Sequence, residues 1–154
     1  MAVAVLNLQR GVRIPRQRIR RLAEAALSAL GRLRAEVHLT FVSDAVIRRL
    51  NRQYRGASHA TDVLAFTLET PGFVRLLGEV VVSAETARRQ ARRLGVPVGL
   101  ELELLVVHGL LHLIGYDDRN PLEARLMHER ARAILREALG PVPERLWTGL
   151  LAAA

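Results

Sequence analysis

His108 and His112 stand four residues apart in the segment His108-Gly109-Leu110-Leu111-His112. On a helix that spacing puts both imidazoles on one face, within reach of a single ion. The flanking residues, Leu104 to Val107 and then Leu113-Ile114, are apolar, so histidines here are polar groups that need partners. Two core histidines hydrogen-bonded to the backbone are the plain alternative. The next residues sharpen the metal reading. Gly115-Tyr116-Asp117-Asp118 reads as a helix stop and tight turn, which returns a carboxylate toward the imidazoles. The same aspartates also suit turn or capping positions. Two histidines and one carboxylate leave coordination positions open to water, as catalytic metal sites require.

The residue after the first histidine separates two chemistries. Metalloproteases of the HExxH type carry a glutamate there as general base, and here the position is Gly109. Peptide hydrolysis by that route lacks its proton acceptor. Phosphodiester cleavage needs only an ion and a cation to stabilise developing charge.

Composition is consistent with that chemistry. The 154 residues contain 23 basic side chains, all arginine, against 15 acidic ones, for a net charge of +8 and a pI near 11.5. Arginine's planar fork binds phosphate oxygens bidentately, so a polyanionic partner is one expectation; an arginine-biased genome or a thermophilic host is the other. The absence of cysteine removes disulfides, thiolate zinc sites and a cysteine nucleophile together. Ala2 to Val5 has no basic stretch before it and is soon interrupted by Asn7 and Arg10, unlike a signal peptide. The apolar run Val96 to Ile114 contains Glu101, Glu103 and both histidines, whereas a membrane span needs about 20 mostly apolar residues. A cytoplasmic protein of one compact domain is expected, long enough to bury about two-thirds of its unfolded surface.

The elements that must position these residues follow from periodicity. Ala2 to Leu8 reads as a strand, and Gly11 to Pro15 turns into an amphipathic helix with Ile19, Leu22, Ala26 and Leu30 inward and Gly31 as its stop. Val37, Leu39 and Phe41 alternate with His38 and Thr40 as a half-buried strand; Ser43 then caps a helix running to Gly56. Asp62 to Phe66 and Glu79 to Val82 read as strands joined through a turn at Pro71-Gly72, apolar on successive residues and so covered on both faces. Ser83 caps a helix through Arg93, stopped by Gly95 and Pro97. A buried helix from about Gly99 to Ile114 ends at Gly115, and Asn120-Pro121 with Glu123 opens the next. The Pro-rich tail from Gly140 reads as a terminal appendage.

Four motifs in order now bear on identity: Leu50-Asn51-Arg52-Gln53-Tyr54-Arg55-Gly56, Thr61-Asp62-Val63-Leu64-Ala65-Phe66, Leu77-Gly78-Glu79-Val80, and His108, His112, Gly115, Tyr116 and Asp117. Through them the chain, from about Val37 to Leu135, resembles the YbeY family of bacterial metal-dependent endoribonucleases. It departs at the last ligand, where Asp118 stands in place of the family's third histidine. The resemblance implies an α/β domain with a small mixed sheet of about four strands flanked by five or six helices. It implies one zinc-like ion per chain and cleavage of single-stranded RNA, with a role in ribosomal RNA 3′-end processing and ribosome quality control. It also implies a functional arginine at Arg55. Read locally, Arg55 ends a helix beside a polar loop, where it reaches a phosphate or interacts with the helix dipole.

The expectation is therefore an endoribonuclease in which His108, His112 and Asp118 hold the ion, with His108 and Arg55 serving catalysis. Its partners are ribosomal RNA and the small subunit, with neither DNA nor a membrane. Aspartate is a competent zinc ligand but shorter than histidine, so the loop must approach more closely. His59 and His128 are alternative ligands. Arg16, Arg18, Arg20 and Arg21, and Arg88, Arg89, Arg92 and Arg93, form basic runs that are either RNA contacts or solvated faces. Two rivals stand: an RNA-binding assembly factor without catalysis, and a metal-dependent hydrolase of another substrate.

Overall fold

A computed structural model describes residues 2–56, 61–67 and 76–148. Four strands form one mixed sheet: β1 (Ala2–Asn7), β2 (Glu36–Val42), β3 (Val63–Thr67) and β4 (Leu76–Ser83), in the order β1-β2-β4-β3. β1, β2 and β4 are parallel, and β3 runs antiparallel along the β4 edge. The helices are α1 (Arg16–Ala29), α2 (Asp44–Arg55), α3 (Ala84–Leu94), α4 (Val98–Leu113) and α5 (Pro121–Leu139). This is the α/β architecture with a small four-stranded sheet expected from the sequence.

α1 buries Ile19, Leu22, Ala23, Ala26 and Leu27, the i, i+3, i+4 stripe of an amphipathic helix. α3 buries only Ala84, Ala87 and Ala91, small residues that let its axis lie close to its neighbours. α2 covers the opposite sheet face, where Ile47 joins Val42, Leu64 and Val81 in a separate cluster. With helices on both faces, β2 is more enclosed than simple alternation suggests. Thr40 and Val42 are buried with Val37, Leu39 and Phe41, and the Thr40 hydroxyl donates to Glu79 at 2.9 Å. That corrects the expectation of a half-buried strand.

α2 and α3 cap one another. The Ser43 and Ser83 hydroxyls accept the Val46 and Thr86 N–H groups. Glu85 accepts the Asp44 N–H at 3.0 Å, while Asp44 accepts from the Ser83 and Thr86 hydroxyls at 2.6 and 2.7 Å and pairs with Arg89. Each first turn carries a carboxylate, and each carboxylate reaches across to the other helix.

α4 is the central element, apolar on every side and packed against β3, β4, α1, α3 and α5. A helix hydrophobic all round belongs in an interior. Glu101 and Glu103, read above as interruptions of an apolar run, are buried in it; Glu103 pairs with Arg18 of α1 at 2.6 Å. Among the described residues no single helix is long and apolar enough to cross a membrane.

The tail is a second correction. Leu146 and Trp147 are buried, with the indole 5.5 Å from the His128 ring and beneath the Arg132 guanidinium at 5.3 Å. An indole so large is drawn into any apolar cleft within reach, so this segment completes the core beside α5. The proposed turn at Pro71-Gly72 lies outside the described residues.

Candidate metal centre

The site forms where α4 ends. Leu113 is its last helical residue, and Gly115 adopts a φ of +106°, a conformation costly for any residue with a Cβ. The Gly115 N–H donates to the His112 carbonyl at 3.1 Å and the Tyr116 N–H to the Leu111 carbonyl at 3.0 Å, closing the helix end. Asp117 then acts as the turn residue: it accepts the Asp118 N–H at 2.7 Å and pairs with Arg119. The reversal carries Asp118 back toward α4.

His108 Nε2 and His112 Nε2 face each other at 3.0 Å, with their rings at 74°. His112 Nδ1 lies 3.1 Å from the Tyr116 carbonyl oxygen. A carbonyl only accepts, so Nδ1 carries the proton and Nε2 presents its lone pair, the orientation that a backbone partner gives a metal-ligating histidine. Burial, and then the neighbouring His112 ring, push the His108 imidazole below its ordinary value, against the pull of Asp62 and Asp118. His108 is thereby kept neutral, the form that binds metal.

His108, His112 and Asp118 each offer one ligand atom, and these atoms lie within 4.8 Å of one another; no other such group occurs among the described residues. The histidines are half-buried and Asp118 is exposed, so the trio opens to solvent. The donor set fits a divalent transition metal: two imidazole nitrogens facing each other, one carboxylate and an unblocked side. The backbone bond expected of core histidines is present at His112, through the Tyr116 carbonyl; what that alternative leaves unused is the Asp118 carboxylate beside the two facing Nε2 atoms.

The structure also explains Gly109. A Cβ there would stand 2.4 Å from Val80 Cγ1 and 3.2 Å from Val63 Cγ2. The position between the histidines is pressed onto the β3–β4 face and has no room for a glutamate.

The other candidates fall elsewhere. His128 packs on Trp147 and is not part of the trio. His59 and the side chain of Arg55 lie outside the described residues, although the backbone of Arg55 closes α2 before Gly56. Several arginines of the basic runs hold the fold together: Arg18 pairs with Glu103, Arg89 with Asp44, and Arg20 and Arg88 donate to the Val3 and Gly11 carbonyls.

One residue escaped the sequence reading. Glu101 lies seven residues before His108, on the same stripe of α4; it is 3% exposed, and its Oε2 has no hydrogen-bond partner among the described residues. Burial first, and then Asp62, raise its carboxyl to about 7 against the pull of Arg93. The signal available was its helical phase with the histidines.

A family model described as endoribonuclease YbeY matches residues 4–139. Curated relatives bearing that name include one from an Anaeromyxobacter strain, 49% identical over 86% of this chain and 69% of its own length. A Syntrophus aciditrophicus protein is 36% identical over 87% and 88% of the two chains, and one from Moorella thermoacetica 44% identical over 76% and 82%. The solution structure of a Thermotoga maritima protein superposes with a TM-score of 0.62 at 26% identity, covering 98% of this chain and 93% of that one.

Proposed function

The chain belongs to the YbeY endoribonuclease family, and from that membership and the paired imidazoles we propose that it is a metal-dependent endoribonuclease of single-stranded RNA. The observation that carries this reading is the 3.0 Å approach of His108 Nε2 to His112 Nε2 with the far nitrogen of His112 fixed by the Tyr116 carbonyl. In the metal-free chain a neutral His108 in its Nε2–H tautomer donates to the His112 Nε2 lone pair across this gap, and a cation taking both Nε2 lone pairs would move that proton to His108 Nδ1.

His108, His112 and Asp118 hold one zinc-like ion, another divalent transition metal being the alternative. When bound, such an ion supplies Lewis-acid stabilisation of a phosphate oxygen and acidifies a water. The chain's own residues do the rest. Tyr116 fixes the His112 ring through its carbonyl, Asp117 and Arg119 hold the turn that presents Asp118, and Arg55 offers its guanidinium to charge developing on the phosphate. The net charge of +8 draws the polyanion to the surface. The name of the family supports an RNA substrate, and we place the activity in ribosomal RNA 3′-end maturation and ribosome quality control, on the small subunit.

His112→Ala tests the assignment. Loss of both metal and cleavage of a single-stranded RNA is expected. Cleavage by metal-free protein contradicts the proposal, and RNA binding that survives chelation without any cleavage indicates an assembly factor instead.

A further inference from the structure

At the elbow between α4 and α5 lies a second feature, an open surface cavity of about 290 Å³ lined by Ile114, Gly115, Tyr116, Asp117, Glu123 and Leu126. Its apolar lining residues are Ile114 and Tyr116, both also packed against the core, and Leu126, which is 51% exposed. The only acidic side chains lining it are two carboxylates, and one is already engaged: Asp117 accepts from the Asp118 N–H and from Arg119. Glu123 stands at the third position of α5, where its N–H is taken by the Asn120 side chain. Its carboxylate makes no hydrogen bond or ion pair with a described residue.

The residues lining the cavity adjoin the metal centre along the chain, although none of the three ligands lines it. Asp117 precedes the ligand Asp118, and the Tyr116 carbonyl fixes the ligand His112. One loop therefore forms the wall of the cavity and presents the ligands.

We propose that this cavity takes an unpaired guanine base of the RNA strand whose phosphate enters the metal centre. The proposal rests on the ribonuclease reading above. A volume at the small end of ligand cavities admits one planar base and little more. An aromatic ring with aliphatic neighbours is the surface on which unpaired bases stack. The choice among bases follows from Glu123, whose two carboxylate oxygens act as acceptors. Guanine presents two adjacent donors, N1–H and the N2 amino group, to the two carboxylate oxygens. Adenine and cytosine place a ring-nitrogen lone pair beside their amino group, and uracil offers a single N–H between two carbonyls.

The test uses short single-stranded RNAs that differ at one position, carrying guanine, inosine, adenine, cytosine or uracil. Equilibrium binding to the metal-free chain is measured, then cleavage by the metal-loaded chain. The wild type is expected to favour guanine about tenfold, the discrimination of one bidentate pair, and to lose much of that preference on inosine, which lacks the 2-amino group. Glu123→Gln, exposed and retaining its cap, collapses the preference, whereas Leu126→Ala weakens the guanine and adenine strands together. Equal binding of all five strands overturns the proposal, as does a guanine preference untouched by Glu123→Gln. Guanine-selective binding without cleavage of any strand leaves this site standing and removes the ribonuclease reading; cleavage blind to the base does the reverse.

Discussion

Gly109 rests on Val80: a methyl group at the glycine Cα would come within 2.4 Å of Val80 Cγ1. This contact presses α4 onto β3 and β4 between the two histidines, and it fixes how His108 and His112 emerge from the sheet surface. The absent glutamate of a peptidase and the close packing of a nuclease-family helix are thus one fact.

Gly109→Ala tests this relationship. Alanine gains about 1 kcal/mol of helix propensity over glycine, but overpacking against Val80 costs about 1–3 kcal/mol. The variant should be less stable than the wild type in urea denaturation, with weakened metal retention. A stabilised variant would show that α4 stands off the sheet.

Asp44 links α2 to α3, and its titration should be visible in stability. Burial pushes its carboxyl up, but hydrogen bonds from Arg89, Ser83 and Thr86 outweigh this and hold it at about 2, against an ordinary 3.8. The folded value is the depressed one, so the stabilisation is fully present above about pH 4 and is lost as pH falls through 2. Asp44→Ala should cost about 1–2 kcal/mol at pH 6, and the gap from the wild type should close toward pH 2. A gap independent of pH would assign Asp44 a role unrelated to its charge.

Glu101 has the opposite sign. Its folded carboxyl is raised to about 7 from 4.5, so its contribution is fully present below pH 4.5 and is lost as pH rises through 7. Glu101→Gln should therefore be stabilising by about 1–3 kcal/mol at pH 8.5 and near neutral at pH 4. Denaturant midpoints of the two proteins across that range decide it. A variant less stable at pH 8.5 would mean that the carboxylate has a partner when ionised.

Much of this was legible beforehand because it is local. Ser43, Ser83 and the Asn120-Pro121-Glu123 group cap the helices they were read to cap, since capping depends on residues within one turn. The phase of His108 and His112 likewise follows from helical spacing alone. Long-range facts were hidden. Nothing near Thr40 announces the second layer that buries it, and Glu101 and Glu103 looked like interruptions because their burial depends on α1 and α3. The Pro-rich tail shows the same limit, since a single Trp147 gives no hint that His128 and Arg132 await it.

Trp147 gives a prediction of its own. Trp147→Ala removes a side chain that is 2% exposed and should cost about 3–5 kcal/mol in chemical denaturation. Wild-type stability in the variant would return the tail to the status of an appendage.

The central claim is that Asp118 completes a metal centre with His108 and His112. Elemental analysis of the purified wild type and of Asp118→Ala, after identical exposure to zinc and removal of the excess, tests it most directly. One ion per chain in the wild type and a large loss in the variant is the predicted result; a wild type that binds no ion, or a variant that retains it undiminished, contradicts it.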